Sequence, residues 1–177
     1  MSTAAIRLQS DRLKYPGLLP EETIVLRAWL VQNQQTFDRF DYNFHIGPDQ
    51  DPGPQYSEAT RKSVIAIMKS RIDAVGWRGV QNSLLPVNAE SPTEIYALFP
   101  SALATIIEVK RRATNTAIGQ ILSYWHLWQE QFPQGPKPDM VLVCNTYSPN
   151  IIPAIRANGI QLNTVSANFT ILSPQRS

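Results

Sequence analysis

Helical and strand-like periods alternate along this chain, and the alternation predicts an α/β domain. Three observations carry that expectation. Asp139 to Cys144 is a short run that is apolar after its first residue, the pattern of a strand buried in the middle of a sheet. Phe40, Tyr42, Phe44 and Ile46 alternate with polar residues, the two-residue period of a strand with one buried face. Ile118, Ile121, Leu122, Trp125 and Trp128 recur at helical spacing between Asn115 and Phe132.

The remaining elements follow in order. Ile24, Leu26, Ala28, Trp29 and Leu30 predict a helix from Pro20 to about Gln35, with the proline suited to its first turn. The strand of alternating aromatics comes next, and residues 47–54, rich in proline and glycine, form a loop. Ser57 caps a helix carrying Val64, Ile65, Ile67 and Met68. Arg71 to Arg78 is a strand. The polar stretch from Gly79 to Ser101 is an elaborated hairpin connection in which Glu94 to Phe99 forms a short strand. Ala104 to Lys110 is the central strand, and the long helix after it stops at Pro133. Ser148 caps a helix from Pro149 to Ala157 that exits at Asn158-Gly159 in a left-handed turn, before a last strand from Ile160 to Val165.

Bulk properties narrow the class without naming it. A chain of 177 residues with 43% hydrophobic and 17% charged residues holds one well-buried core. The expected division is an extension over residues 1–19, one domain over 20–165 with an insertion at about 79–101, and a tail over 166–177. No apolar stretch reaches the roughly 18 residues of a membrane span, and the N-terminus has no signal-peptide core. The expected location is the cytoplasm, or a virion if a phage encodes the chain. The single cysteine, Cys144, forms no internal disulfide and reads as a buried thiol at a strand end. A net charge of +2 is less than a nucleic-acid-coating protein shows, so any polyanion must be met by local clusters.

One set of residues stands out against this background. Glu108 and Lys110 lie two apart in the apolar run from Thr105, which places both charges on one face of the central strand. Charges there are costly unless they bind something. Asp73, in the strand from Arg71, supplies a second acid if the two strands are neighbours. Hydrolysis of a phosphodiester needs charge neutralisation and a hydroxide near neutral pH, the work of one or two Mg²⁺ or Mn²⁺ ions. Magnesium takes hard oxygen ligands, for which Asp73, Glu108 and the carbonyl of Val109 are the candidates. The Lys110 ammonium points at the same cavity, to orient the attacking water or stabilise the transition state. Gln120 and Tyr124, four apart on the long helix, share one face and support a water, the lysine or a phosphate.

An acidic strand, a Glu-x-Lys strand, a helix with Gln-x-x-x-Tyr, then an apolar strand, a helix and a strand: this order resembles the PD-(D/E)XK nuclease superfamily, in particular its RecB-like branch. The similarity extends from about Pro20 to Val165, with signature residues between Arg71 and Tyr124. It implies a restriction-endonuclease-like core, a mixed central sheet flanked by helices. It also implies metal-dependent DNA cleavage leaving a 5′-phosphate, with Asp73, Glu108 and Lys110 as the central residues. Ile72 stands where the family places a proline, and the insertion lengthens the spacing from Asp73 to Glu108. Many relatives add a glutamate from the first helix to the metal site, for which Glu22 or Glu21 is the candidate.

Plainer readings compete with each of these. A lone Glu-x-Lys is commonly an exposed ion pair, and acids in a first helical turn complement the helix dipole without any catalytic task. Arg71, Arg78, Arg111 and Arg112 cluster in sequence around the site and read as phosphate contacts, although charged residues usually form a solvated face. Trp77 and Trp125 are base-stacking candidates for which burial in a core is the default, and His45 and His126 lack ligand partners at telling spacing. The resulting expectation is a metal-dependent DNA nuclease, its specificity supplied by a homo-oligomer or a partner protein. The rival is a silent nuclease-fold module that binds DNA or serves assembly in a phage or mobile element.

Overall fold

The computed structural model describes residues 17–47, 55, 57–61, 70–81 and 92–167. Five segments rich in β-branched and aromatic residues pair into one sheet, with helices on both faces. In chain order the elements are α1 (Pro20–Asn33), β1 (Arg39–Ile46), β2 (Ser70–Arg78), α2 (Pro92–Leu98), β3 (Leu103–Ala113), α3 (Asn115–Gln131), β4 (Asp139–Tyr147), α4 (Ile152–Ala157) and β5 (Gln161–Thr164). The strands lie side by side in sequence order, antiparallel from β1 to β3 and parallel from β3 to β5. The protein is thus an α/β domain with a mixed sheet flanked by helices, consistent with the restriction-endonuclease-like core expected above. Among the described residues, no helix is long and apolar enough to cross a membrane.

β3 sits in the middle, and its residues 104–109 are buried in unbroken succession. Its even-numbered apolar side chains, Ala104 and Ile106, join the core under α3 with Trp77, Ile121, Trp128 and Leu142. Up to Val109 its odd-numbered ones, Ile107 and Val109, join the core under α1 with Leu26, Trp29, Phe40 and Val143, while Ala113 at its end returns to the α3 core. A period of two on the central strand therefore feeds two separate cores. α1 faces its core with Val25, Leu26, Trp29 and Leu30, so its buried stripe lies a little to one side of the Ile24 to Ala28 face read from sequence.

Several expectations need correction. Glu94 to Phe99 does not form a strand. Residues Pro92–Leu98 form α2, with proline in its first turn, Glu94 near its positive end and Ile95 buried against the α3 core. Helix formers outweighed an apolar run too short to have a decisive period. Ser148 makes no side-chain cap, and the helix it precedes begins as a 3-10 turn over Pro149–Ile151. Cys144 lies inside β4 rather than at its end, and β3 continues three residues beyond Lys110. Other readings hold. Ser57 Oγ accepts the Thr60 amide at 3.2 Å at the start of a helical turn, and Gly159 takes φ 64 at the α4 exit. The N-terminal extension before residue 17, the loop over 48–54, the helix beyond Arg61, the insertion over 82–91 and the tail from 168 lie outside the described residues.

At one end the first two strands are clamped. Arg39, 6% exposed, donates to both oxygens of Asp41 at 2.8 to 3.0 Å. The buried Trp77 donates its Nε1 hydrogen to Asp41 Oδ2 at 2.9 Å from across the ladder. Replacing Asp41 by alanine leaves a buried guanidinium and an indole without this acceptor. The expected loss is about 3 kcal/mol in urea unfolding, seen as a lower midpoint at unchanged slope, with Asp41→Asn losing less.

Candidate active site

The site is built where two strands part. β2 and β3 pair residue by residue from Arg78↔Leu103 to Ala74↔Ile107, where the register ends. At the next position the Asp73 side chain replaces the ladder, its Oδ2 accepting the Val109 amide at 2.8 Å. The strands therefore fork, with the Asp73 carboxylate in the crotch. In an antiparallel ladder a residue's N–H and C=O leave the strand on the same side, so the Val109 carbonyl projects into the same fork.

Four further side chains close around it. Glu108 is 1% exposed, and Lys110 follows on the same strand face with Nζ 2.6 Å from Glu108 Oε1. From the other layer, Glu22 in the first turn of α1 places Oε1 3.4 Å from the same Nζ. Its second oxygen accepts the Leu19 amide at 3.0 Å, half of a capping box. Tyr124 and Gln120 come from α3. Tyr124 is 6% exposed, Gln120 hydrogen-bonds its hydroxyl, and the charges of Glu108, Asp73 and Lys110 all act on it. Of the sequence candidates, Asp73, Glu108, Val109, Lys110, Gln120, Tyr124 and Glu22 thus meet in one place.

The electrostatics of this cluster are unusual. Glu108 meets the Lys110 ammonium, but the Asp73 carboxyl stands beside it as well. A carboxylate that buried, with a second acid next to it, favours its neutral form. Burial, and then the neighbouring Asp73 charge, push the Glu108 carboxyl up to about 8. Burial also raises Asp73, to about 6, against the opposing pull of its Val109 hydrogen bond and of Lys110. The two groups titrate as a pair, and a proton on one can be shared with the other. Burial alone would lower Lys110, but Glu108, Asp73 and Glu22 outweigh it and hold the ammonium above its usual range. Burial, with Glu108 and Asp73, keeps Tyr124 a neutral phenol.

These residues suit a hard divalent cation. The buried Glu108 carboxylate and the half-buried Asp73 carboxylate, beside a backbone carbonyl in an open fork, form a partial cradle of the kind magnesium uses while keeping several waters. Among the described residues, no group of three His, Cys, Asp or Glu side chains offers a fuller protein cage. Glu22 lies at the edge of the cradle, engaged with Lys110 and its own helix start.

The arginines separate. Arg71, Arg111 and Arg112 are exposed at the same end of the sheet as the fork. Arg78 is not part of this group: it stands five residues along β2 from Asp73, roughly 17 Å away. There it pairs with Asp139 across the closed end and lies 6.0 Å from the Phe37 ring centroid. Proximity in sequence to Asp73 misled because a strand carries its two ends apart. Trp77 is fully buried, and Trp125 donates to the Pro138 carbonyl at 3.1 Å, so both belong to the packing. Cys144 is a buried thiol, pushed up to about 11 by burial. One residue beside the site went unnoticed in the sequence: Asn43, opposite Asp73 on β1, in the left-handed conformation with φ 51. Its signal is an asparagine, a residue tolerant of that conformation, within an aromatic alternation.

No protein-family model matches this chain, and no curated protein matches it in sequence. Among solved structures it is similar to the crystal structure of a repair endonuclease from Pyrococcus abyssi, with TM-score 0.40 and 10% sequence identity. The alignment covers 81% of this chain and 46% of that one, so this chain spans less than half the length of that protein.

The paired carboxyls make a prediction about pH. With both raised from ordinary values of 3.8 and 4.5, the folded protein holds protons that the unfolded chain releases. In chelator, their contribution to stability is fully present below about pH 4 and is lost as pH rises towards about 8. Melting temperatures across that range should fall more steeply for the parent than for Asp73→Asn/Glu108→Gln. Parallel curves for the two proteins would contradict the raised pair.

Proposed function

We propose that this chain is a divalent-metal-dependent nuclease of the PD-(D/E)XK kind that hydrolyses phosphodiester bonds in DNA. One observation carries the reading. Asp73, Glu108 and Lys110 share the β2–β3 fork, where the almost wholly buried Glu108 carboxylate meets the Lys110 ammonium at 2.6 Å beside a second acid. A purely structural ion pair needs one acid, and the second carboxylate here raises the cost of burying the first.

Asp73, Glu108 and the Val109 carbonyl are the groups that would hold Mg²⁺ or Mn²⁺. The bound cation would supply charge neutralisation at the scissile phosphate and a water more acidic than bulk water. Lys110 contributes a permanent ammonium, since its surroundings hold it protonated, and donates to the attacking water or to a phosphate oxygen as negative charge builds. Tyr124 remains a neutral donor, and Gln120 fixes the direction of its hydroxyl. Glu22 holds Lys110 from the α1 side and is a further candidate ligand. The exposed Arg71, Arg111 and Arg112 would track the DNA backbone, which fixes position without reading sequence. Sequence or structure specificity would then come from a second copy of the chain or from a partner protein.

The test uses plasmid and oligonucleotide substrates with Mg²⁺, with Mn²⁺ and with chelator. The parent should cleave only with metal, and Lys110→Ala should lose at least about a hundredfold in rate while melting cooperatively. Asp73→Ala should lose activity and also bind Mn²⁺ more weakly by calorimetry. A parent that binds Mn²⁺ and DNA without cutting would instead identify a silent nuclease-fold module.

A further inference from the structure

β1 and β2 both turn over at the same level. On β1, Phe40 and Tyr42 pack with the α1 core, whereas Phe44 and Ile46 pack with the α3 core, although all four have the same parity. On β2, Ala74 faces the α1 core while Ile72 faces the α3 core, again with the same parity. Strict alternation forbids both patterns, so each strand carries one residue that breaks its pleat. Those residues are Asn43 and Asp73, which lie opposite one another between the pairs Tyr42↔Ala74 and Phe44↔Ile72. Because both strands slip by one residue together, the register on either side is unchanged.

Asn43 is the only non-glycine residue with positive φ among the described residues. At φ 51 its backbone is in the left-handed region, which asparagine tolerates, glycine adopts freely and β-branched residues resist. Its side chain also lies under the chain leading into α1: a Cβ placed on Gly17 would stand 2.4 Å from Asn43 Oδ1. The consequence appears on the opposite strand. Asp73, at the break, points to neither core but sideways at β3, where it takes the Val109 amide.

We propose that Asn43 is a positioning residue, whose left-handed backbone turns the β1–β2 ladder over and so sets the Asp73 carboxylate in the fork. The role of that carboxylate in metal binding rests on the function proposed above, but its placement does not. The test therefore reads placement first. Hydrogen exchange at the Val109 amide, in metal-free protein, reports the Asp73 contact, with Asp73→Ala as the control that loses it. Asn43→Gly should keep Val109 protected. Asn43→Val should expose it, with exchange faster by about tenfold or more while the amides of the β3–β4 ladder stay protected. Asn43→Ala serves in place of valine if the latter does not fold, with the same direction expected.

The second reading is Mn²⁺ affinity by calorimetry, in which Asn43→Gly should match the parent and Asn43→Val should weaken binding about tenfold. Unchanged Val109 protection in the valine and alanine variants would overturn the proposal, as would equal loss in the glycine variant. If the variants behave as expected in exchange and yet the parent binds no Mn²⁺, the positioning role stands and the metal reading fails.

Discussion

Glu108 is the constraint around which the molecule is arranged. A carboxylate that is almost wholly buried is unfavourable unless a proton or a cation meets it. Lys110 meets part of the demand at 2.6 Å, and Asp73 increases it by adding a second charge nearby. Nothing in the packing of an α/β sheet requires such a pair at its centre. An apolar residue at position 108 would extend the unbroken buried run of β3 and remove the problem. The cluster costs stability and is tolerated because the two cores offset it.

The sheet is closed at one end so that it can be open at the other. At the closed end Arg39, Asp41 and Trp77 bind β1 to β2, and Arg78 reaches past β3 to Asp139 on β4. These contacts, with Trp77 and Trp128 packed 5.7 Å apart between ring centroids beneath them, fix the strands where they pair. Five residues further along β2 the ladder to β3 is gone and a side chain has taken its place. Layers above and below hold the fork at its width: α1 brings Glu22 to one side, and α3 brings Tyr124 and Gln120 to the other. The side chains gathered at the fork come from four elements, α1, β2, β3 and α3, and are held by packing rather than by loops, as precise geometry requires.

Much of this was legible before any coordinates, and the pattern of success has physical causes. Long periodic segments such as α3, and uniformly apolar ones such as β4, declare themselves because burial sets their period. Asp73, Glu108 and Lys110 were legible because acids and a lysine in apolar strands contradict the local pattern, and contradictions of that kind gather at working sites. The segment Glu94 to Phe99 was misread because six residues are too few to separate the two periods, and a first-turn proline with a nearby acid should have decided for helix. Arg78 was misplaced because closeness in sequence says nothing about which end of a strand a residue occupies. Asn43 was invisible because its contribution lies in a backbone angle, and a strand's alternation gives no warning that a paired break will reverse it.

The charge balance links the fold to the chemistry. With Glu22, Asp73 and Glu108 ionised against Lys110 alone, three negative charges face one positive, an excess of two in a place with little water. Two routes neutralise it: protons on the raised carboxyls, or one divalent cation. The routes exclude one another at the same oxygens, so a cation entering the fork would have to displace protons, as metal binding by carboxylates does generally. Glu22 joins the cluster without leaving its helix cap: one oxygen takes the Leu19 amide while the other lies 3.4 Å from the Lys110 ammonium. Capping α1 and meeting the lysine are then performed by two oxygens of the same side chain, which ties the start of α1 to the fork.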